Sequence, residues 1–131
     1  MSFKRFEEIP VWQKARQFCK DIFQLTLKEG FRTSYKLRDQ ILASSGSIMD
    51  NIAEGYERDG NKELCQFLFI AKGSCGEARS QLYRAFDYGF ISKEELESHF
   101  LKAVEISKEL KAFILYIKNS DIKGIKYKEI P

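Results

Sequence analysis

The sequence has no long hydrophobic run; its apolar stretches are a few residues each, too short to cross a bilayer. Its opening, MSFKRFEEIPVW, carries basic residues but no apolar core of signal-peptide length, so export is not expected and a cytoplasmic protein is. Cysteine is sparse: Cys19, Cys65 and Cys75 form no C-x-x-C pair and have only His99 to join them, which argues against a disulfide framework or a zinc site. They read as small buried hydrophobes in a reducing compartment. There is no G-x-S-x-G elbow, Gly-rich phosphate loop, H-E-x-x-H or E-x-x-H pattern. His99, the lone histidine, has no Asp or Ser that spacing would place on its face, and reads as a solvent-edge residue. No catalytic residue, metal, cofactor or small-molecule substrate is therefore expected. Nor is there a strong excess of one charge: 22 Lys and Arg face 19 Asp and Glu, a net +3 spread diffusely along the chain.

What the sequence does have is helical periodicity. From Pro10, suited to the first position of a helix, Val11, Ala15, Phe18, Ile22 and Leu25 repeat at spacings of four and three, and Gly30 closes the run. A second helix from about Ser34 places Leu37, Ile41, Ile48 and Ile52 on one face. The small run Ser44, Ser45, Gly46 and Ser47 interrupts it, marking either the close approach of another helix or a loop that splits this one. Leu64, Leu68, Ala71, Cys75, Ala78, Leu82 and Ala85 form the most regular seam, ending at Gly89 as a C-cap, after which Phe90 and Ile91 can fold back. Ser92 and Glu95 form a capping box, and Leu96, Phe100, Ala103, Ile106, Leu110, Phe113 and Ile117 follow until Asn119 and Ser120.

These patterns predict helices at about 10–29, 34–57, 61–88 and 92–118, with a loosely packed C-terminal tail over 119–131. Short connectors force sequence neighbours to run antiparallel, so the expected fold is all-α: one 131-residue domain, an up-down-up-down four-helix bundle.

Two polar or amphipathic features stand outside the core pattern. Asn51, Glu54 and Arg58 are spaced three and four apart and can share a face through Gly55 as a hydrogen-bonded ladder, either a helix-end brace or a ligand site. Trp12, Cys19, Phe23 and Leu27 form a second apolar stripe on the first helix, and Phe67, Phe69 and Ile70 add apolar surface on the third. Such excess is either a thick core or a surface for self-association.

The segments FEEIPVWQKAR (6–16), NIAEGYER (51–58) and KELCQFLFIAKGSCGEA (62–78) resemble the bacterial 23S rRNA intervening-sequence protein family, also called the four-helix-bundle protein family. The resemblance spans nearly the whole chain through the fourth helix. It implies a four-helix bundle, assembly into a homo-oligomeric, pentameric ring, and contact with nucleic acid, with Trp12, Asn51, Glu54, Gly55 and Arg58 as motif or interface positions. The chain departs from the family pattern Q-I-R-R-A-A at Leu42 and Ala43, where the paired arginines are missing, and Asp50 adds a charge of the wrong sign for phosphate.

Two functions remain open from the sequence. One is a homo-oligomeric accessory protein that binds RNA or another nucleic acid. Its candidate phosphate contacts are Lys14, Arg16 and Lys20 on the first helix, Arg38 on the second, and Lys62, Lys72, Arg79 and Arg84 on the third. The other is a structural or protein-interaction module that never touches nucleic acid.

Overall fold

The computed structural model describes residues 2–122. A short 3-10 turn, Phe6–Glu8, leads into α1 (Pro10–Thr26), α2 (Tyr35–Glu57), α3 (Asn61–Asp87) and α4 (Lys93–Ile122), and no strand occurs among the described residues. Side-chain pairs fix the directions. Gln40, Ser44 and Ser47 on α2 meet Arg84, Gln81 and Ser74 on α3, a descending series that makes the two helices antiparallel. On the other side of α3, Lys118 lies over Phe69 and Arg79 over Phe100, so α4 reverses again. Lys14 reaches Glu105 and Glu109 while Lys28 reaches Glu95, which closes α4 against α1 in the opposite sense. The result is the up-down-up-down bundle that short connectors require.

The seams read from the sequence form the core. Every seam residue is buried except Phe100, which is half-buried beneath the Arg79 guanidinium. Trp12 belongs to this core as well, at 8% exposure with Phe6 edge-on to its ring, so it does not extend a free stripe; Phe23 and Leu27 do, at 49% and 50%.

Several boundaries differ from the periodicity. α1 stops at Thr26, short of 29, where the Thr26 hydroxyl donates to the Phe23 carbonyl and the chain turns through Gly30 at φ +89°. That turn carries Phe31, fully buried and stacked on Phe90 at 5.6 Å, a core aromatic with no periodic signal. α2 runs unbroken through Ser44–Ser47, so no loop splits it; the Ser44 and Ser45 hydroxyls donate back to the Ile41 and Leu42 carbonyls. α3 lies against this run, with Ser44 bonded to Gln81 and Ser47 to Ser74; a second close approach is at Gly55, where an added Cβ would sit 2.7 Å from Phe67 Cβ and 3.4 Å from Leu64 Cα. At Gly46 the nearest atom, Cys19 Sγ, is 4.0 Å away.

The α3 C-terminus is a Schellman turn: Phe90 N–H donates to Ala85 O, Gly89 N–H to Phe86 O, and Gly89 has φ +80°. The capping box forms as read, with Ser92 N–H donating to Glu95 Oε1 at 2.8 Å and Glu95 N–H to Ser92 Oγ at 3.1 Å. α4 then continues to Ile122, past the expected end at 118, because the Ser120 hydroxyl turns inward and donates to the Tyr116 carbonyl instead of breaking the helix. The tail expected beyond it, residues 123–131, lies outside the described residues.

Candidate nucleic-acid interface

The two flanks of α4 are electrostatically unlike. Towards α1 its cations and carboxylates are matched: Lys14 Nζ lies 2.7 Å from Glu105 and 2.8 Å from Glu109, Lys102 lies 2.9 Å from Asp21, and Lys28 pairs with Glu95. Burial pushes the Asp21 carboxyl up, but hydrogen bonds from Lys102 and Gln17 outweigh it and hold the group below its ordinary range. Glu95 is depressed in the same way, burial being outweighed by Lys28 and the Ser92 cap. Lys14 is raised by its hydrogen bonds to Glu105 and Glu109. A phosphate on this seam would have to compete with those carboxylates for each lysine.

Towards α3 the situation reverses. Phe69, Lys72 and Gly73 from α3 and Lys111, Ile114, Leu115 and Lys118 from α4 line one groove of about 400 Å³. Its charged side chains are three lysines, and among the described residues no carboxylate lines it. Lys118 Nζ rests 5.0 Å from the Phe69 ring centroid. Two turns along α3, the Arg79 guanidinium lies 4.9 Å over Phe100, whose edge meets Tyr83 at 6.0 Å. Arg79 Nε is buried with no acceptor. Among the described residues, none of Lys72, Arg79, Lys111 and Lys118 forms an ion pair. Unpaired cations beside exposed rings are the elements from which backbone and base contacts to nucleic acid are built.

The eight basic residues singled out by sequence thus scatter. Lys72 and Arg79 join the α3–α4 groove and its continuation. Lys14 is neutralised, and Arg16 lies over Trp12 on the outer face of α1 near exposed Lys20. Arg38 is held by Asp39 and the Arg32 carbonyl. Lys62 is exposed at the start of α3. Arg84 donates to Gln40 Oε1 and lines a separate polar cleft of about 530 Å³ with Ser44, Gln81 and Glu77. Lys111 and Lys118 were missed. Each directly follows a seam residue, Leu110 or Ile117, so both fall on the α3 side of α4, a signal that seam register alone carries.

The family-motif positions make contacts within the protomer. Glu54 and Arg58 pair at 2.9 Å, and the Arg58 guanidinium also lies 5.1 Å over Phe67. Asn51 does not join that ladder: it donates to the Ser47 carbonyl and hydroxyl, and Ser74 donates to the same hydroxyl, bracing α2 on α3. Gly55 is the contact that lets α3 close on α2. Cys75 is buried, donates to the Ala103 carbonyl, and has its thiol pushed up to about 11 by burial. His99 is half-buried with Nδ1 2.7 Å from the Glu95 carbonyl. Among the described residues no group of three or more His, Cys, Asp or Glu side chains could hold a metal, and no helix is long and apolar enough to cross a membrane.

Fold and surface together define a four-helix bundle with one paired flank and one open basic flank. The chain belongs to the 23S rRNA-intervening sequence protein family, whose profile matches residues 7–112. It is similar to a crystal structure of a protein with unknown function from the S23 ribosomal protein family of Bacteroides thetaiotaomicron VPI-5482. The TM-score is 0.73 at 26% identity, covering 79% of this chain and 97% of that one. No curated protein gives a significant match.

Proposed function

We propose that this protein is a non-enzymatic, homo-oligomeric accessory protein of the cytoplasm that binds RNA through its α3–α4 flank. The observation that carries the reading is the asymmetry of α4. Its α1 side is closed by ion pairs, whereas Lys72, Arg79, Lys111 and Lys118 on its α3 side have no carboxylate partner among the described residues. An unpaired cation cluster gains most from a polyanion, since each phosphate contact releases condensed counterions. The family's description, which names an rRNA-intervening sequence, agrees with such a partner. Self-association is supported by Phe23 and Leu27, two large apolar side chains half in solvent at the end of α1, and the assembly we propose, on the family resemblance, is a pentameric ring.

Four phosphate contacts per protomer predict a slope of log affinity against log salt of about −3 to −4. The test is binding of a structured RNA between roughly 50 and 200 mM salt. Replacing Lys72, Lys111 and Lys118 together with Gln should lower that slope by about 3, while Lys14→Gln leaves it unchanged. If the intact oligomer binds no RNA at the low-salt end, the second reading, a protein-interaction module, takes its place. That reading is favoured by Leu101 and Leu115, which stand 65% and 51% exposed on α4.

A further inference from the structure

We infer that the α3–α4 flank takes unpaired RNA strands in preference to duplex, with bases stacking on its exposed rings while its lysines hold the phosphates. This rests on the RNA reading above and narrows the substrate class of the same surface. The cations alone would serve any polyanion; the apolar surface between them makes the distinction. Phe69, Tyr83 and Phe86, on one side of α3, stand 50%, 46% and 37% exposed, interleaved with Lys72 and Arg79. A duplex keeps its bases stacked on one another and presents phosphates and 2′-hydroxyls, which gain nothing from a phenyl face. Duplex docking here would desolvate phosphates against Phe69, Leu115 and Tyr83. An unpaired strand turns the same rings into stacking platforms worth about 1–3 kcal/mol per base.

Two further features fit a single strand. Gly73 and Gly76 lie between Phe69 and Arg79, and among the described residues a Cβ at either would meet nothing within 4 Å, which leaves room on this face for a sugar-phosphate chain against the helix backbone. The Arg79 guanidinium carbon lies 4.9 Å from the Phe100 ring centroid, so a base that reaches the guanidinium would join an existing cation–π contact. From Phe69 to Phe86 the helix rises about 25 Å, which a stacked strand spans in about seven nucleotides and an extended one in fewer. That length falls within the site sizes of aromatic-lined single-strand grooves.

The test compares a short oligoadenylate with a blunt RNA hairpin of equal phosphate number, by fluorescence anisotropy at one salt concentration on the intact protein. The single strand should bind at least tenfold tighter. Tyr83→Leu, which keeps apolar bulk against Phe100 but removes the π-face, and Phe86→Ala should each weaken oligoadenylate about fivefold to a hundredfold and leave hairpin binding unchanged. Circular dichroism checks that both variants keep native helicity, and Tyr83→Leu stands alone if Phe86→Ala does not. Equal affinity for both RNAs, or rings whose removal changes nothing, overturns the single-strand inference while the RNA reading stands. Binding to neither overturns the RNA reading itself.

Discussion

Gly73 and Gly76 occupy the middle of α3, where each glycine costs about 1 kcal/mol of helix stability relative to alanine. Among the described residues nothing requires them, since a Cβ at either position would have no neighbour within 4 Å there. The double substitution Gly73→Ala/Gly76→Ala should therefore stabilise the fold by about 1–2 kcal/mol. With an unfolding entropy of about 2.1 cal/mol/K per residue, a 131-residue chain should gain roughly 4–7 °C in Tm. Gly55 is the internal control, being glycine in a helix of the same bundle with opposite surroundings. There the new Cβ would lie 2.7 Å from Phe67 Cβ, anchored to the α3 backbone, so Gly55→Ala should destabilise by about 1–3 kcal/mol despite its better propensity. Urea titration followed by circular dichroism measures both. The double variant should at the same time lose RNA affinity severalfold, because the two methyl groups fill the floor that a strand would lie on. A fall in stability on Gly73→Ala/Gly76→Ala would refute the reasoning, since it would mean that this face of α3 is already in close contact with something in the native assembly.

Asp21 and Glu95 titrate below their ordinary values in the folded protein, so each contributes stability that is present above its unfolded value, 3.8 or 4.5, and lost as pH falls through the folded one. Urea midpoints should stay level from neutral pH to about 5 and drop below about 4.5; Asp21→Asn with Glu95→Gln should flatten that drop, and an unchanged acid slope would show that these pairs do not form. Ser92→Ala removes the hydroxyl that accepts from Glu95 N–H and should cost about 1 kcal/mol in the same titration. Phe23→Asp places a charge in the exposed apolar pair Phe23 and Leu27 and should shift the mass in light scattering from a multiple of 15.3 kDa towards the protomer, with helicity retained.

The fold was legible because bundles write their cores in the sequence. Leu64 to Ala85 keep one spacing over the whole of α3, and the Ser92–Glu95 box marks its helix start as clearly in the chain as in the structure. What escaped was set by tertiary neighbours. Phe31 is buried by Phe90, which arrives from a distant connector, and Ser120 sits within a helix with its hydroxyl bonded back to the Tyr116 carbonyl. The candidate site was harder still. Basic residues can be counted in a sequence, but whether a lysine is free depends on what faces it across a helix pair. Lys14 and Lys72 look alike along the chain; the first meets two carboxylates and the second a groove of lysines.

That difference gives the modest net charge a physical meaning. Exposed ion pairs such as those of the α1–α4 seam are worth about 0–1 kcal/mol each, too little to explain the fold, which rests on buried seams. Their larger effect is on the field of the molecule. The seam ties Lys14, Lys28 and Lys102 to Asp21, Glu95, Glu105 and Glu109, whereas the lysines that line the α3–α4 groove have no ion pair among the described residues. A net charge of +3 spread evenly would bind a polyanion weakly, whereas the same charge gathered along one groove acts on several phosphates of one strand. In a closed assembly that groove recurs once per subunit, and a strand held by one copy meets the next at a high effective concentration. If RNA binds as proposed, a protomer with few cations on this flank would gain from its neighbours, and loss of the proposed α1 contact should then weaken RNA binding even though Phe23 lies on a different face from the groove.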